Sequence, residues 1–221
     1  MKPIQVTLGD LDGDEKMDII ITSNSNSNLA IFRNSSNGNG KSTFDPEFTL
    51  TGFADTKPVL SDLNGDGKPD IMVTSVTANS TRLLINATSG TSISFTTQTI
   101  AIGSGNDARA IVAEDFDGDG KPDIVTSHEY NANYNPSNYN ICVLRNTSTG
   151  PGSITFASYV PFYNGGYQSD GLSLGDFNGD GKLDIAAANY PNGNMMIIPN
   201  TATSGTINSS SLGTYSLFQP A

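Results

Sequence analysis

The sequence predicts an all-β fold, a β-propeller built of four four-stranded antiparallel blades. Three observations carry this. One unit recurs four times, as VTLGDLDGDEKMDIIITS (6–23), PVLSDLNGDGKPDIMVTS (58–75), IVAEDFDGDGKPDIVTSH (111–128) and LSLGDFNGDGKLDIAAAN (172–189), and internal repetition of this period is the mark of an array of supersecondary units. The apolar residues come in short alternating or continuous runs, with no stretch at helical spacing. Asn-Gly and Gly-Ser turn signals separate those runs. Four short strands in about 50 residues is the size of one propeller blade.

Each element of the unit follows from its residues. The opening strand is read from apolar side chains two residues apart: Val6 and Leu8, Pro58 and Leu60, Ile111 and Ala113, Leu172 and Leu174. An acidic loop comes next. Its first aspartates, Asp10, Asp62, Asp115 and Asp176, are 52, 53 and 61 residues apart. Continuous β-branched runs such as Ile19, Ile20 and Ile21 then suit a strand covered on both faces. A third run ends in Asn in every copy, at Asn34, Asn86, Asn146 and Asn200, which lie 24, 24, 31 and 24 residues after the first Asp. Copy three therefore carries a seven-residue insertion. Gly/Ser/Thr/Asn-rich turns lead into a last strand, read at ISFTTQTI (93–100), ITFASYV (154–160) and GTYSLFQP (213–220). The blades so defined cover approximately 1–52, 53–104, 105–165 and 166–221 of one repeat domain spanning 1–221.

Composition narrows the function. With 11 Lys plus Arg against 22 Asp plus Glu in 221 residues, the net charge is −11. Nucleic acid is excluded as an expected partner, because phosphate binding needs a basic footprint. An anionic membrane surface is disfavoured on the same ground, and no run approaches the roughly 20 apolar residues of a membrane helix. The lone Cys142, in the run Ile141–Leu144, reads as a small buried hydrophobe. Met1-Lys2-Pro3 leads straight into a strand-like segment with no leader, which suggests a cytoplasmic protein or a piece of something larger.

The acidic loops carry the chemistry. They are DLDGDEKMD (10–18), DLNGDGKPD (62–70), DFDGDGKPD (115–123) and DFNGDGKLD (176–184). Side-chain oxygens recur at loop positions 1, 3, 5 and 9, and Gly at position 4, usually also at 6, lets the chain curl so that they converge. A hard cation wanting six to eight oxygens fits, which means calcium, whereas magnesium demands strict octahedral geometry. No His or Cys lies in any loop, so zinc and copper are disfavoured. Position 7 is Lys16, Lys68, Lys121 and Lys182. Its backbone carbonyl is read as a ligand and its ammonium as pointing to water. An EF-hand reading fails, because position 12 is Ile21, Val73, Thr126 and Ala187 where a bidentate Glu is needed.

On these loop–strand units the chain resembles FG-GAP repeats, also called VCBS-type repeats, of the calcium-loop class found in integrin α-subunit propellers and bacterial surface proteins. The resemblance implies calcium in the hairpin between a blade's first and second strands, up to four ions, one per blade. It implies ligand roles for Asp10, Asp12, Asp14 and Asp18; for Asp62, Asn64, Asp66 and Asp70; for Asp115, Asp117, Asp119 and Asp123; and for Asp176, Asn178, Asp180 and Asp184. Copy one departs from the pattern, with Glu15 where the others have Gly67, Gly120 and Gly181. If that position is left-handed, Glu15 costs about 1–2 kcal/mol, and loop one is expected to bind weakest. Fourteen of the 22 acids are aspartates at ligand positions, so four calcium ions would bring the charge to about −3.

The family usually builds seven blades, which leaves three readings of a four-blade chain: part of a larger propeller, a closed four-bladed ring, or two chains forming eight blades. Open blade edges would favour self-association. In an up-and-down blade the calcium loops share one face of the disc. The insertion EYNANYNPSNYN (129–140) and the link PFYNGGYQSDG (161–171) share the other. Tyr130, Tyr134, Tyr139, Tyr163 and Tyr167 there suit a protein or glycan ligand, since tyrosine offers rigid amphipathic area at low entropy cost.

Enzyme signals are thin. His128 is the single histidine and reads as a satisfied polar residue. No nucleophile elbow, phosphate loop or HExxH motif is present. The alternative, part of a calcium-dependent polysaccharide lyase, needs a basic cluster, and Arg82, Arg109 and Arg145 are scattered. Extracellular calcium fills loops that cytosolic calcium does not. The expectation is therefore a calcium-stabilised extracellular or cell-surface module, non-catalytic, serving as a binding or adhesion scaffold.

Overall fold

The computed structural model describes residues 3–23, 28–53, 57–74, 80–102, 108–128, 140–162, 168–190, 193–208, 210–213 and 216–218. Among them every regular element is a strand, and no helix is long and apolar enough to cross a membrane. Sixteen strands form four four-stranded sheets, each in sequential order with antiparallel neighbours. Sheet one is β1 (Pro3–Gly9), β2 (Asp18–Ser23), β3 (Asn28–Phe32) and β4 (Phe48–Thr51). Sheet two is β5 (Val59–Ser61), β6 (Asp70–Thr74), β7 (Ser80–Asn86) and β8 (Phe95–Ala101). Sheet three is β9 (Ala108–Glu114), β10 (Asp123–His128), β11 (Ile141–Leu144) and β12 (Val160–Phe162). Sheet four is β13 (Gln168–Gly175), β14 (Asp184–Tyr190), β15 (Asn194–Ile198) and β16 (Ser216–Phe218). The fold is all-β, of the propeller class, with four up-and-down blades.

Burial explains the order of residue types along each blade. The continuous apolar runs are the second and third strands. β6, β10 and β11 are buried at every residue, as expected of strands covered on both faces. Each is flanked by two neighbours in its own sheet, so its backbone groups are paired as well as its side chains. Last strands alternate, as in β4 and β12. The last strand of copy three lies later than the run ITFASYV suggests. Residues 154–157 pair back onto the end of the third strand through the bridge Asn146↔Phe156 and the amide of Ala157 on the Arg145 carbonyl, and β12 starts only at Val160. The same return recurs as Asn34↔Phe44 and Asn200↔Leu212. Competition for backbone partners, rather than β-propensity, sets that boundary.

The chain forms two compact units. The first comprises Met1–Asp62, Gly67–Ser75 and Thr81–Ile100; the second comprises Leu63–Asp66, Val76–Ser80 and Ala101–Ala221. The core of the first includes Leu11, Ile20, Leu29, Ile31, Ile71 and Leu84. That of the second includes Phe116, Val125, Val143, Ile185, Met196 and Ile198. Each core draws on two sheets and on the apolar residue at loop position 2. Cys142 is buried, as its sequence setting suggests, and burial pushes its thiol pKa up.

Not all apolar surface is covered. On β1, Ile4, Val6 and Leu8 are exposed, as is Met17 at the end of loop one. On the fourth blade Phe177, Met195 and Phe218 are exposed. Position 2 shows the contrast best: Leu11, Leu63 and Phe116 are at most 2% exposed, and Phe177 is 53% exposed.

Candidate metal centres

The acidic loops are the hairpins between first and second strands, as the sequence implies. Each is wound by its own carboxylates. The position-1 aspartate gathers the amides ahead of it: Asp10 accepts from Gly13 (2.7 Å), Asp14 (3.1 Å) and Glu15 (2.7 Å). Asp176 accepts from Gly179, Asp180 and Gly181. Asp115 takes the amides of Asp119 and Gly120, and Asp62 that of Gly67. The side chain at position 3 accepts the amide at position 5 in every copy. This curl needs a positive φ at position 6. Gly67, Gly120 and Gly181 have φ of 84°, 89° and 84°, and Glu15 is held at 65°, alone among described non-glycine residues.

Position 9 has a second role that spacing does not reveal. Asp18, Asp70, Asp123 and Asp184 are fully buried. Asp18 accepts the amide of Leu11 on one oxygen (2.9 Å) and that of Asn34 on the other (2.7 Å). Asp123 does the same with Phe116 and Asn146, and Asp184 with Phe177 and Asn200. This carboxylate ties loop, second strand and third strand together. Burial pushes Asp18 and Asp117 up from their ordinary pKa, and pushes Asp123 up to about 7. The hydrogen bond from Lys16 holds Asp14 low, and backbone amides, that of Gly181 foremost, hold Asp176 low.

In copies two, three and four the asparagine that ends the third run joins neighbouring repeats. The Asn86 amide group donates to the carbonyl of Leu11 in the preceding loop (2.8 Å) and to that of Pro69 in its own (3.0 Å). Asn146 donates likewise to Leu63 and Pro122, and Asn200 to Phe116 and Leu183. Their side-chain oxygens accept the amides of Thr88, Ser148 and Ala202. Asn34 makes only the local part, donating to Met17 and accepting from Ser36. Sequence reasoning used this Asn as a landmark and missed its function. Its fixed distance from the loop was the available signal.

Three potential ligand atoms lie within 4.8 Å of one another in loop one, from Asp10, Asp12 and Asp18, and in loop three, from Asp115, Asp117 and Asp123. Loop three fits a cation best. Asp117 is 5% exposed; the amides of Asp119 and Gly205 lie against its carboxylate, and its Oδ2 is buried without a hydrogen bond of normal geometry. An unpaired buried carboxylate oxygen is costly unless a cation meets it. A cleft of about 380 Å³ lined by Asp115, Asp117 and Ser204 gives access. In loop one the matching oxygen of Asp12 is already bonded to Arg33. In loop two Asn64 is buried and Asp62 and Asp66 are half-buried; in loop four Asp176, Asn178 and Asp180 are exposed.

The lysines at position 7 differ from expectation. Lys68 donates to the Thr88 carbonyl and Lys182 to the Ala202 carbonyl (2.7 Å), while Lys16 pairs with Asp14 (2.9 Å). The ammonium groups of Lys68 and Lys182 brace the loop against carbonyls of the following turn, and that of Lys16 pairs within its own loop. His128 is 1% exposed, with Nε2 2.8 Å from the Thr126 hydroxyl, the satisfied polar residue expected. Arg82 stacks on Phe53 and donates to the Gly52 carbonyl. Tyr130, Tyr134, Tyr139, Tyr163 and Tyr167 lie outside the described residues.

Comparison with curated proteins finds no match. The profile of the FG-GAP-like repeat matches residues 10–73 and 62–126, and that of the FG-GAP repeat matches residues 170–207. These matches contain all four acidic loops and cover more than half of the chain, so the protein belongs to the FG-GAP repeat family.

Proposed function

We propose that this β-propeller repeat module is a calcium-stabilised, non-catalytic binding scaffold that works outside the cell. The observation that carries the calcium reading is the buried, unpartnered Oδ2 of Asp117 beside Asp115 and Asp123. It calls for a cation, and an all-oxygen donor set selects a hard one. Asp115, Asp117, Asp119 and Asp123 would hold the ion, with their counterparts in the other loops. Its effect is structural, since the loop it charges joins first and second strands and, through Asp123 and Asn146, the third.

The scaffold reading rests on the family and on surface chemistry. The exposed Ile4, Val6 and Leu8 of β1 and Phe177 of loop four are apolar groups of a kind that neighbouring repeats cover elsewhere in the chain, which favours association with further repeats or copies. A protein or glycan ligand is assigned to the tyrosine-bearing segments 129–140 and 161–171. Calorimetric calcium titration and thermal melts test the first claim. At calcium 100-fold above Kd each occupied loop adds about 2.7 kcal/mol, so EDTA lowers Tm. An unchanged melt in EDTA, with no heat of calcium binding, overturns the reading.

A further inference from the structure

Resting on the calcium reading, the structure assigns Arg33 as a tethered counter-cation of loop one that competes with calcium, so that loop one is the last to fill. The guanidinium is held in the acidic loop. Nε donates to Asp12 Oδ2 (2.5 Å), Nη2 to Asp14 Oδ2 (3.0 Å) and Nη1 to Asp45 (3.2 Å), and the side chain is only 11% exposed. Lys16 also donates to Asp14 Oδ2. The Oδ1 atoms of Asp12 and Asp14 accept the amides of Asp14 and Lys16. Every carboxylate oxygen at positions 3 and 5 of loop one is thus partnered, whereas in loop three Asp117 Oδ2 is bare and Arg145 stands 3.9 Å from Asp119.

The pattern across copies is independent of these distances. Arg33 and Arg145 occupy the position just before the joining asparagine, where copies two and four have Ile85 and Pro199. The two copies with Arg there are the two with Asp at loop position 3, Asp12 and Asp117; the other two have Asn64 and Asn178. Adding the ligand aspartates, the position-7 lysine and this residue gives −2 in every copy, from four acids against two bases or three against one. That is the complement of one divalent cation. Among the described residues only copy one places an acid, Asp45, on the far side of the guanidinium; in copy three Ala157 takes the same backbone partner. Asp45 therefore gives Arg33 a second carboxylate to hold when calcium takes Asp12 and Asp14. A guanidinium left about 6 Å from a divalent ion in a water-like dielectric weakens its binding by about tenfold.

The experiment follows the amide NMR peaks of Gly13, Gly65, Gly118 and Gly179 while the EDTA-stripped full chain is titrated with calcium chloride. Gly13 is expected to move at more calcium than Gly118, because Arg33 is bonded to the position-3 carboxylate and Arg145 stands only near Asp119. In Arg33→Met, which keeps an apolar stem, the Gly13 midpoint falls by about tenfold and the Gly118 midpoint stays where it was. The same variant melts below wild type in EDTA, with the difference shrinking in saturating calcium. A Gly13 midpoint unchanged by Arg33→Met, or equal to that of Gly118 in wild type, overturns the assignment. Should Arg33→Met not fold, Asp45→Asn removes the alternative partner and is expected to raise the Gly13 midpoint; no change overturns the assignment. Failure of the calcium reading itself looks different: none of the four peaks moves.

Discussion

Replacing Asn86 by Ala separates the joining role of this residue from simple loss of a polar side chain. The substitution removes the donor to the carbonyls of Leu11 and Pro69 and the acceptor for the Thr88 amide. Leu11 and Thr88 are at most 1% exposed, so water does not replace the lost partner. Each buried group left unpaired costs about 1–3 kcal/mol, so two cost about 2–6 kcal/mol. Asn34→Ala is the internal control, in the same compact unit. Its donor bond goes to Met17, which is 58% exposed, and its acceptor bond to the half-buried Ser36. Water takes over, and the cost is about 0.5–1 kcal/mol. Urea unfolding in saturating calcium, with a probe in the first unit, reads the difference. Equal losses for the two variants, or a loss below about 1 kcal/mol for Asn86→Ala, would refute the reasoning.

Two further outcomes follow from loop geometry. Glu15→Gly relieves a left-handed residue at φ 65° and is expected to stabilise the protein by about 1 kcal/mol after the entropy that glycine adds to the unfolded chain; a lower denaturation midpoint contradicts this. Burial raises the Asp123 carboxyl from 3.8 to about 7. A group whose folded pKa is raised contributes stability that is complete below the unfolded pKa and is lost as pH rises through the folded one. Calcium-free protein is therefore expected to lose stability between about pH 4 and 7, while calcium, which meets the ionised carboxylates, binds more tightly over the same interval. Denaturant melts in EDTA that are flat or rising across that window count against it.

Much of the fold was legible because its determinants are local. Asp10 at position 1 curls the loop by accepting amides three to five residues ahead, and such bonds need only the order of residues. The buried runs of β6 and β10 carry their burial in composition. The carboxylates of Asp10, Asp12 and Asp18, and of Asp115, Asp117 and Asp123, converge as their spacing implies. The start of the last strand of copy three is not legible, because residues 154–157 are as apolar and β-branched as a strand and pair back onto Asn146 through the bridge at Phe156.

What the sequence determined by itself is the repeat, the blade, and four loops rich in side-chain oxygens. Each is a property of a few dozen consecutive residues, fixed by side-chain period, turn chemistry and charge. What the tertiary structure decided lies between segments far apart in the chain. Asn86 meets Leu11 across 75 positions, Asn146 meets Leu63 across 83, and Arg33 reaches Asp12 and Asp14 from the end of another strand. A letter code records that an asparagine or arginine recurs at a fixed interval. Which carbonyl or carboxylate it meets, and whether water is shut out there, depends on packing, and the strength of these bonds depends on that exclusion.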